Sequence, residues 1–347
     1  RQIGGFRNRL IAGVNLHNGS IDNKQYINVD GSKGNLAASN VDDSKNVSFY
    51  VENSFYVRPD ISLIVGAALQ HASRERRDRF TSDGNQSGRR TYDHFSPKVG
   101  VLWDIDATWQ AFANVSRSAE VPTFDANTFS SLISSNIEAQ TATTYEIGTR
   151  GERKNSRWEL SLYRAEIKNE LQCLTTAPWS PCTVVNADRT VHQGIEAGVG
   201  FVFLKSGLVP GDRFWFNAAY TYNDFFFDND SRYGNNRLPG VPPHYLRAEL
   251  LYKHPSGFYA APNVEWMPQS YFADNANQVK VDPYALLNLR VGYNAPGSKA
   301  SFYLEGRNLL DKRYIANVAV AGTADAASAL FNTGSGVAIY GGVQLKW

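Results

Sequence analysis

From Gly336 to Trp347, apolar and polar side chains alternate at a period of two. Val337, Ile339, Gly341, Val343, Leu345 and Trp347 share one face, and Ala338, Tyr340, Gly342, Gln344 and Lys346 share the other. Such alternation predicts a strand with one apolar and one polar side. The same period recurs upstream. Val47, Phe49, Val51, Phe55 and Val57 alternate with Ser48, Tyr50, Glu52 and Ser54. A tight turn at Arg58-Pro59-Asp60 follows, and Ile61, Leu63, Val65, Ala67 and Leu69 continue in phase. Trp109, Ala111, Ala113 and Val115 form a further set, as do Ile195 to Phe203, Phe214 to Tyr222 and Leu246 to Tyr252. In all, the pattern predicts about fourteen strands whose connections alternate short, long, short, long. Long loops are expected over 18–46, 71–92, 118–139, 228–242, 270–280 and 309–335, the first of them too long for a hairpin turn.

This sorting of loops by side predicts an all-β fold, a transmembrane antiparallel β-barrel with brief periplasmic turns and extended extracellular loops. Sandwiches and propellers have no reason to sort loops in that way. With that parity the last strand runs inward and Trp347 lands at the periplasmic aromatic girdle, as a C-terminal barrel signal. No apolar run reaches the ~18 residues of a membrane helix, and mean hydropathy is negative. A barrel tolerates this because each lipid-facing residue is diluted by a lumen-facing polar one. In antiphase to the apolar set lie Glu52, Lys98, Glu146, Arg150, Arg247 and Arg290, among others. Facing lipid they would cost a few kcal/mol each, so they are expected in the lumen. There they either line water or hydrogen-bond an object filling the barrel.

The 347 residues carry 35 Lys+Arg against 33 Asp+Glu, a net charge of +2, which gives no support to a nucleic-acid partner. Aromatic residues are 13% of the chain, with 18 Tyr and 19 Phe against one Met, a balance that favours strands. The two cysteines, Cys173 and Cys182, bracket a Pro-containing loop and read as a disulfide formed in an oxidising compartment; two free thiols in a reducing one are the alternative. The six histidines are scattered, without a metal-binding or H-E-x-x-H spacing. There is no G-x-S-x-G elbow and no nucleophile with an evident base, so neither an enzyme nor a cofactor is expected.

Several stretches resemble the barrel of the TonB-dependent outer-membrane receptors. SPKVGVLWD (96–104) with AFANVSRSAEVPTF (111–124) is similar to the family's "SPK-G-L … Y-S-S-R-G-F-x-x-P-x-F" hairpin. NADRTVHQGIEAGV (186–199) resembles its "N-x-G-x-x-x-x-G-x-E" strand, and 271–293 also fits. EGRNLLDKRY (305–314) is similar to the near-terminal "N-L-F-D-K-R-Y", which makes Asn308, Leu309, Asp311, Arg313 and Tyr314 family-motif residues. The resemblance implies a 22-stranded barrel, of which about fourteen strands are present, with the plug domain and the N-terminal energy-coupling segment absent. Residues 1–347 are then one N-terminally incomplete domain in the bacterial outer membrane. By the same resemblance the whole receptor imports a ferric siderophore or ferric citrate, energised by the TonB complex through the missing N-terminal part. The barrel assembly machinery and outer-membrane lipid or lipopolysaccharide are its other implied partners. The alternative is a passive porin or fatty-acid-type channel with a complete barrel of about fourteen strands.

One stretch has a ligand chemistry of its own. Arg74, Arg76, Arg77, Arg79, Arg89 and Arg90 crowd the outer end of one hairpin, and guanidinium groups suit carboxylate or phosphate. They would attract an anionic ferric chelate, bridge lipopolysaccharide phosphates, or simply solvate the hairpin end. Phe129, Trp179 and Tyr271 are loop aromatics that could touch an organic ligand.

Overall fold

Period-two segments need partners on both edges, and those inside the main sheet find them in the strands before and after them in chain order. The computed structural model describes residues 2–3, 5–123, 137–175, 182–294, 297–325 and 327–346. Its strands are β1 (Gln2–Ile3), β2 (Phe6–Val29), β3 (Ser32–Arg58), β4 (Ile61–Asp78), β5 (Gly88–Asp106) and β6 (Trp109–Glu120). Next come β7 (Gln140–Arg153), β8 (Ser156–Leu174), β9 (Thr183–Lys205), β10 (Arg213–Phe227), β11 (His244–Lys253) and β12 (Phe258–Met267). β13 (Tyr271–Phe272) and β14 (Lys280–Val281) pair only with each other. β15 (Tyr284–Tyr293) and β16 (Ala300–Arg307) return to the main sheet. β17 (Ile315–Val318) and β18 (Phe331–Thr333) form a second small pair, and β19 (Ala338–Leu345) is last. The main sheet has 15 strands in strict chain order, and apart from the two-residue β1 these are the fourteen the periodicity predicts. Among the described residues there is no α-helix, and no pairing joins β19 back to β1 or β2.

The register carries the apolar set across the sheet. Leu63 lies opposite Val101, Val101 opposite Ala113, Ala113 opposite Ile147, Ile147 opposite Leu162, and Leu162 opposite Ile195. A slip of one residue would turn such a row over to the polar side, so a one-sided environment fixes the register. That environment is not a packed core. Val65 and Ile147 are each 59% exposed, Leu16 71% and Val343 73%. A soluble monomer rarely leaves a contiguous apolar face of this extent in water, whereas a hydrocarbon solvent requires it. The sheet also curves, because residues from the β3–β4 turn through to β16 line one common concave space. The apolar set is on the convex side and the charged set on the concave side.

A repeated device keeps the concave side smooth. Direct cross-strand partners pair a glycine with an aromatic ring: Gly13 with Tyr50, Gly148 with Phe112, Gly194 with Tyr163, Gly292 with Tyr259 and Gly342 with Tyr303. A Cβ at any of these glycines would come within 3.0 Å of the opposing side chain. The ring therefore lies flat over bare backbone, an arrangement that recovers packing the glycine alone would lose.

The structure corrects the expected loop over 18–46. That segment is paired strand, from Asn18 opposite Lys45 to Val29 opposite Ser32. Its turn is Asp30-Gly31, with φ of 49° and 83°, the two positive values that a type I′ hairpin needs. The amide of Gly31 also donates to Asn28 Oδ1 at 2.9 Å. Beyond the lipid neither face meets hydrocarbon, so the hydrophobic alternation disappears while the ladder continues. For the same reason β4 runs on to Asp78 and β5 starts at Gly88, within the loop expected over 71–92. At the opposite end the connections are short, and one, between Ser206 and Asp212, is built around a buried carboxylate. Asp212 accepts from the amides of Gly207, Leu208 and Val209 at 2.7, 2.9 and 3.0 Å. Burial alone would raise its pKa, but these amides hold it below the usual carboxylate value.

Assignment of the convex face to hydrocarbon predicts an asymmetry between faces. Val65→Lys, near the middle of the apolar band, should destabilise the folded form by ~2–4 kcal/mol. Thr221→Lys, on the concave side opposite Glu196, should leave it within ~0.5 kcal/mol. Urea unfolding in lipid vesicles measures both.

Candidate functional site

The concave face offers an open wall of about 1420 Å³, and its charges are arranged as cross-strand networks rather than as one focus. Lys98 on β5 pairs with Glu52 on β3. Glu146 on β7 accepts from Asn114 Nδ2 at 2.9 Å and from Ser161 Oγ at 2.6 Å. Gln110 links Asp104 to Arg150, donating at 2.7 Å and accepting at 2.9 Å. Farther round, Asn217 bridges Arg157 and Glu249, and Arg290 Nη2 reaches the other Glu249 oxygen at 3.3 Å. Arg247 stands 3.6 Å from Glu265, and Arg307 donates to Glu305 at 2.7 Å. The cationic partners of the ion pairs are about half exposed, so each pair contributes under ~1 kcal/mol to stability. Their effect is a wall that presents fixed donors and acceptors of both signs to whatever stands against it.

At the long-loop end the wall acquires small cores. Val121, Ile137 and Ala139 from the β6–β7 connection pack on Ala72 and Tyr92, and Tyr92 Oη donates to the Ile137 carbonyl at 3.1 Å. Met267, Tyr271, Ala273, Val281, Ala321 and Leu330 join the β12–β15 and β16–β19 connections into another core. Burial pushes the Tyr92 hydroxyl above the ordinary tyrosine pKa and the Arg74 guanidinium below the ordinary arginine value.

Strand parity divides the six arginines. Arg74, Arg76 and Arg90 lie on the face of Tyr92, whereas Arg77, Arg79 and Arg89 lie on the opposite face. Arg76 grips Asp42 with two bonds of 2.7 Å, and both side chains are 5% exposed. Arg74 donates to the Pro122 carbonyl at 3.0 Å and to Asn46 Oδ1 at 2.8 Å. On the other face Arg77 meets Asp43 at 2.6 Å, Arg79 meets Asp22 at 3.2 Å, and Arg89 Nε reaches Ser73 Oγ at 3.2 Å. Arg90 stands directly across the ladder from Arg74. The parity was readable from the sequence, since 74 and 76 cannot share a strand face with 77 and 79.

The family-motif residues build a loop. Asn308, buried with φ of 49°, accepts from the Lys312 amide at 2.9 Å. Its Nδ2 donates to the carbonyls of Lys312 and Ser335, and its own amide donates to Asn288 Oδ1. The Leu309 amide continues the turn to the Leu287 carbonyl at 2.8 Å. Asp311 receives the Val337 amide at 3.3 Å, Tyr314 packs on Tyr284 with centroids 4.7 Å apart, and Arg313 is exposed. Cys173 and Cys182 are joined as a disulfide, Cα atoms 5.2 Å apart, at the tip of the β8–β9 hairpin. Tyr271 is buried in the second loop core, while Phe129, Trp179 and Trp347 lie outside the described residues.

Asp274 and Asn275 had no sequence signal. Asp274 is fully buried and accepts the amides of Gln278 and Val279, both at 2.9 Å, and of Ala324 at 3.3 Å. Asn275 donates to Gln172 Oε1 at 2.9 Å, tying that loop to β8. Among the described residues no group of three or more His, Cys, Asp or Glu side chains could hold a metal ion.

The Arg76–Asp42 pair should hold the protruding β2–β4 extension together. Asp42→Ala removes the carboxylate that takes two charge-assisted bonds from the buried Arg76 guanidinium, a loss of ~1.5–3 kcal/mol. Limited proteolysis of whole cells should then cut within residues 18–46, whereas Arg77→Ala, which breaks an exposed pair, should leave the cleavage pattern unchanged.

Comparison with known proteins bears on this architecture. The chain is 24% identical over 307 residues to the ferric-pyoverdine BN7/BN8 receptor of Pseudomonas putida, covering 85% of this chain and 35% of that receptor. It therefore spans about a third of that relative's length. The unliganded ferric citrate transporter FecA superposes with a TM-score of 0.82 at 19% identity, over 100% of this chain and 52% of FecA. The siderophore receptor PiuA from Acinetobacter baumannii gives 0.75 at 18% identity, over 100% and 54%. These identities speak to the fold. The family model for the TonB dependent receptor-like β-barrel matches residues 2–309, most of the chain, and with the apolar convex face and polar concave wall it shows that the chain belongs to that family of outer-membrane β-barrels.

Proposed function

We propose that the outer-membrane protein containing this chain actively imports a scarce ferric chelate, a siderophore or ferric citrate, energised from the inner membrane through TonB. The observation that carries this reading is the concave wall. Its charged groups are fixed in cross-strand networks at the rim of one wide space, which suits a wall packed against a folded polar object better than a simple water-filled pore. The chain's relatives are receptors whose names state ferric chelates. In this account residues 1–347 supply about fourteen strands of a barrel of about 22. The edge of β19, and that of β2 beyond the two residues β1 covers, pair with strands outside this chain, and a plug and a TonB-contacting segment lie elsewhere in the protein.

Uptake of ⁵⁵Fe-loaded ferric-pyoverdine and ferric citrate by a deletion strain carrying the intact gene tests this. Saturable uptake of one of them, abolished when TonB is removed, is expected. Uptake that persists without TonB, together with continuous single-channel conductance of the pure protein, would overturn it in favour of the passive porin.

The arginines at the outer end of β4–β5 contribute long-range attraction of an anionic chelate, because carboxylates already engage Arg76, Arg77 and Arg79. Replacing Arg77, Arg79 and Arg89 together with Ala should slow association severalfold at low ionic strength, and the difference should vanish above ~0.5 M salt. Unchanged association rates at low salt would remove this role.

A further inference from the structure

The loops at the long-loop end fall into two groups, and the outer end of the β8–β9 hairpin stands between them. There the ladder pairs Leu171 with Asn186, Gln172 with Val185, Cys173 with Val184 and Leu174 with Thr183. Side chains alternate across this two-stranded ribbon. Leu171, Cys173, Val184 and Asn186 therefore share one face, and Gln172 and Leu174 share the other. Each face is held by a different group of loops.

The first face meets the β6–β7 connection. Leu171 and Val184 pack on the core that Val121, Ile137 and Ala139 build over Ala72 and Tyr92. Asn186 makes a reciprocal pair with Glu138: its Oδ1 accepts the Glu138 amide at 2.8 Å, and its Nδ2 donates to the Glu138 carbonyl at 3.1 Å. The Leu171 amide donates to Gln140 Oε1 at 2.9 Å. The second face meets the later loops. Gln172 Oε1 accepts from Asn275 Nδ2 at 2.9 Å, and just beyond it the Thr175 amide donates to the Val320 carbonyl at 2.7 Å. Asn275 is fully buried. Its amide donates to the Ala321 carbonyl at 3.0 Å, and its own carbonyl accepts from Asn236 Nδ2 at 2.9 Å. One residue thus ties the β10–β11, β12–β15 and β16–β19 connections into a single group.

A two-stranded ribbon alone is marginal in water, and its open end frays. The Cys173–Cys182 disulfide closes this one at its last ladder pair, Leu174 with Thr183. A displacement applied to one face is then passed to the other instead of being absorbed at a loose tip. We propose that the cystine hairpin is the coupling element between the two groups of loops. Movement of the β6–β7 connection carries the β10–β11, β12–β15 and β16–β19 group with it, and the reverse. Because the ties on each face preorganise the ribbon for the ties on the other, the two sets share a coupling free energy. Anything that draws one group of loops inward therefore draws in the other. The coupling belongs to the folded loops and holds whichever ligand is imported and however import is energised.

Hydrogen–deuterium exchange of the intact outer-membrane protein in lipid nanodiscs, resolved to single amides, tests it. The Glu138 amide reports on the first face. The amides of Asn275 and Ala276, held by the carbonyls of Ala321 and Gly322, report on the second. Gln172→Ala removes the tie to Asn275, yet should speed exchange at Glu138 about threefold. Gln140→Ala removes the tie to Leu171, yet should speed exchange at Asn275 and Ala276 by about the same factor. Replacing both cysteines with Ser should speed exchange on both faces. Asp325→Ala, whose carboxylate serves Ala327 and Ser328 within its own loop, should leave all three reporter amides unchanged. Heat-modifiable electrophoretic mobility establishes that each variant barrel is folded, and if the cysteine variant does not assemble, the two glutamine replacements carry the test. Acceleration confined to the face that was cut, unchanged exchange after loss of the disulfide in a folded barrel, or equal acceleration by Asp325→Ala would each overturn the proposal.

Discussion

In hydrocarbon a backbone amide or carbonyl has no water to bond, and each one left unpaired costs several kcal/mol. The ladder that runs without interruption in order from β2 to the β12–β15–β16–β19 wall satisfies this constraint, and the remaining features depend on it. With the backbone satisfied internally, side chains are free to divide by parity, apolar to the convex side and polar to the concave side. The same constraint explains why the two outermost strands matter. Among the described residues β19 keeps one edge unpaired, and β2 does so beyond the two residues that β1 covers, a state that lipid does not tolerate.

Parity also organises the polar face. A wall that must be wide cannot be filled by large inward side chains, and the five glycine–aromatic pairs keep rings flush with the backbone. Charged groups then pair across strands, as Asn217 does between Arg157 and Glu249. Above the membrane, where neither lipid nor lumen selects one face, compact loop cores and the buried Arg76–Asp42 pair take over as the structural elements.

The strand count, the outward rows and the lumen-facing charges were legible in the sequence because lipid and lumen impose a strict period of two. The 18–46 extension was not legible by that criterion, since the period fades once neither face meets hydrocarbon. Asp30-Gly31 was the available signal, a type I′ turn pair in the middle of the segment. The arginine group was visible, but its division between two faces follows only from strand parity at Arg74–Arg79. Asp274 and Asn275 were out of reach, because a buried loop carboxylate is defined by amides as distant as Ala324. The motif at Asn308 was recognisable by resemblance, while its physical work as a loop tie is plain only from its contacts.

One face of this sheet meets lipid and the other meets the aqueous lumen. A nitroxide scan from Gly194 to Phe203 on β9, made in the intact protein in lipid vesicles, measures it directly by collision with oxygen and with a water-soluble nickel chelate. Ile195, Ala197, Val199, Phe201 and Phe203 should be accessible to oxygen, and Gly194, Glu196, Gly198 and Gly200 should be either accessible to the chelate or shielded from both reagents. Loss of the two-residue alternation, or its reversal, would contradict the account.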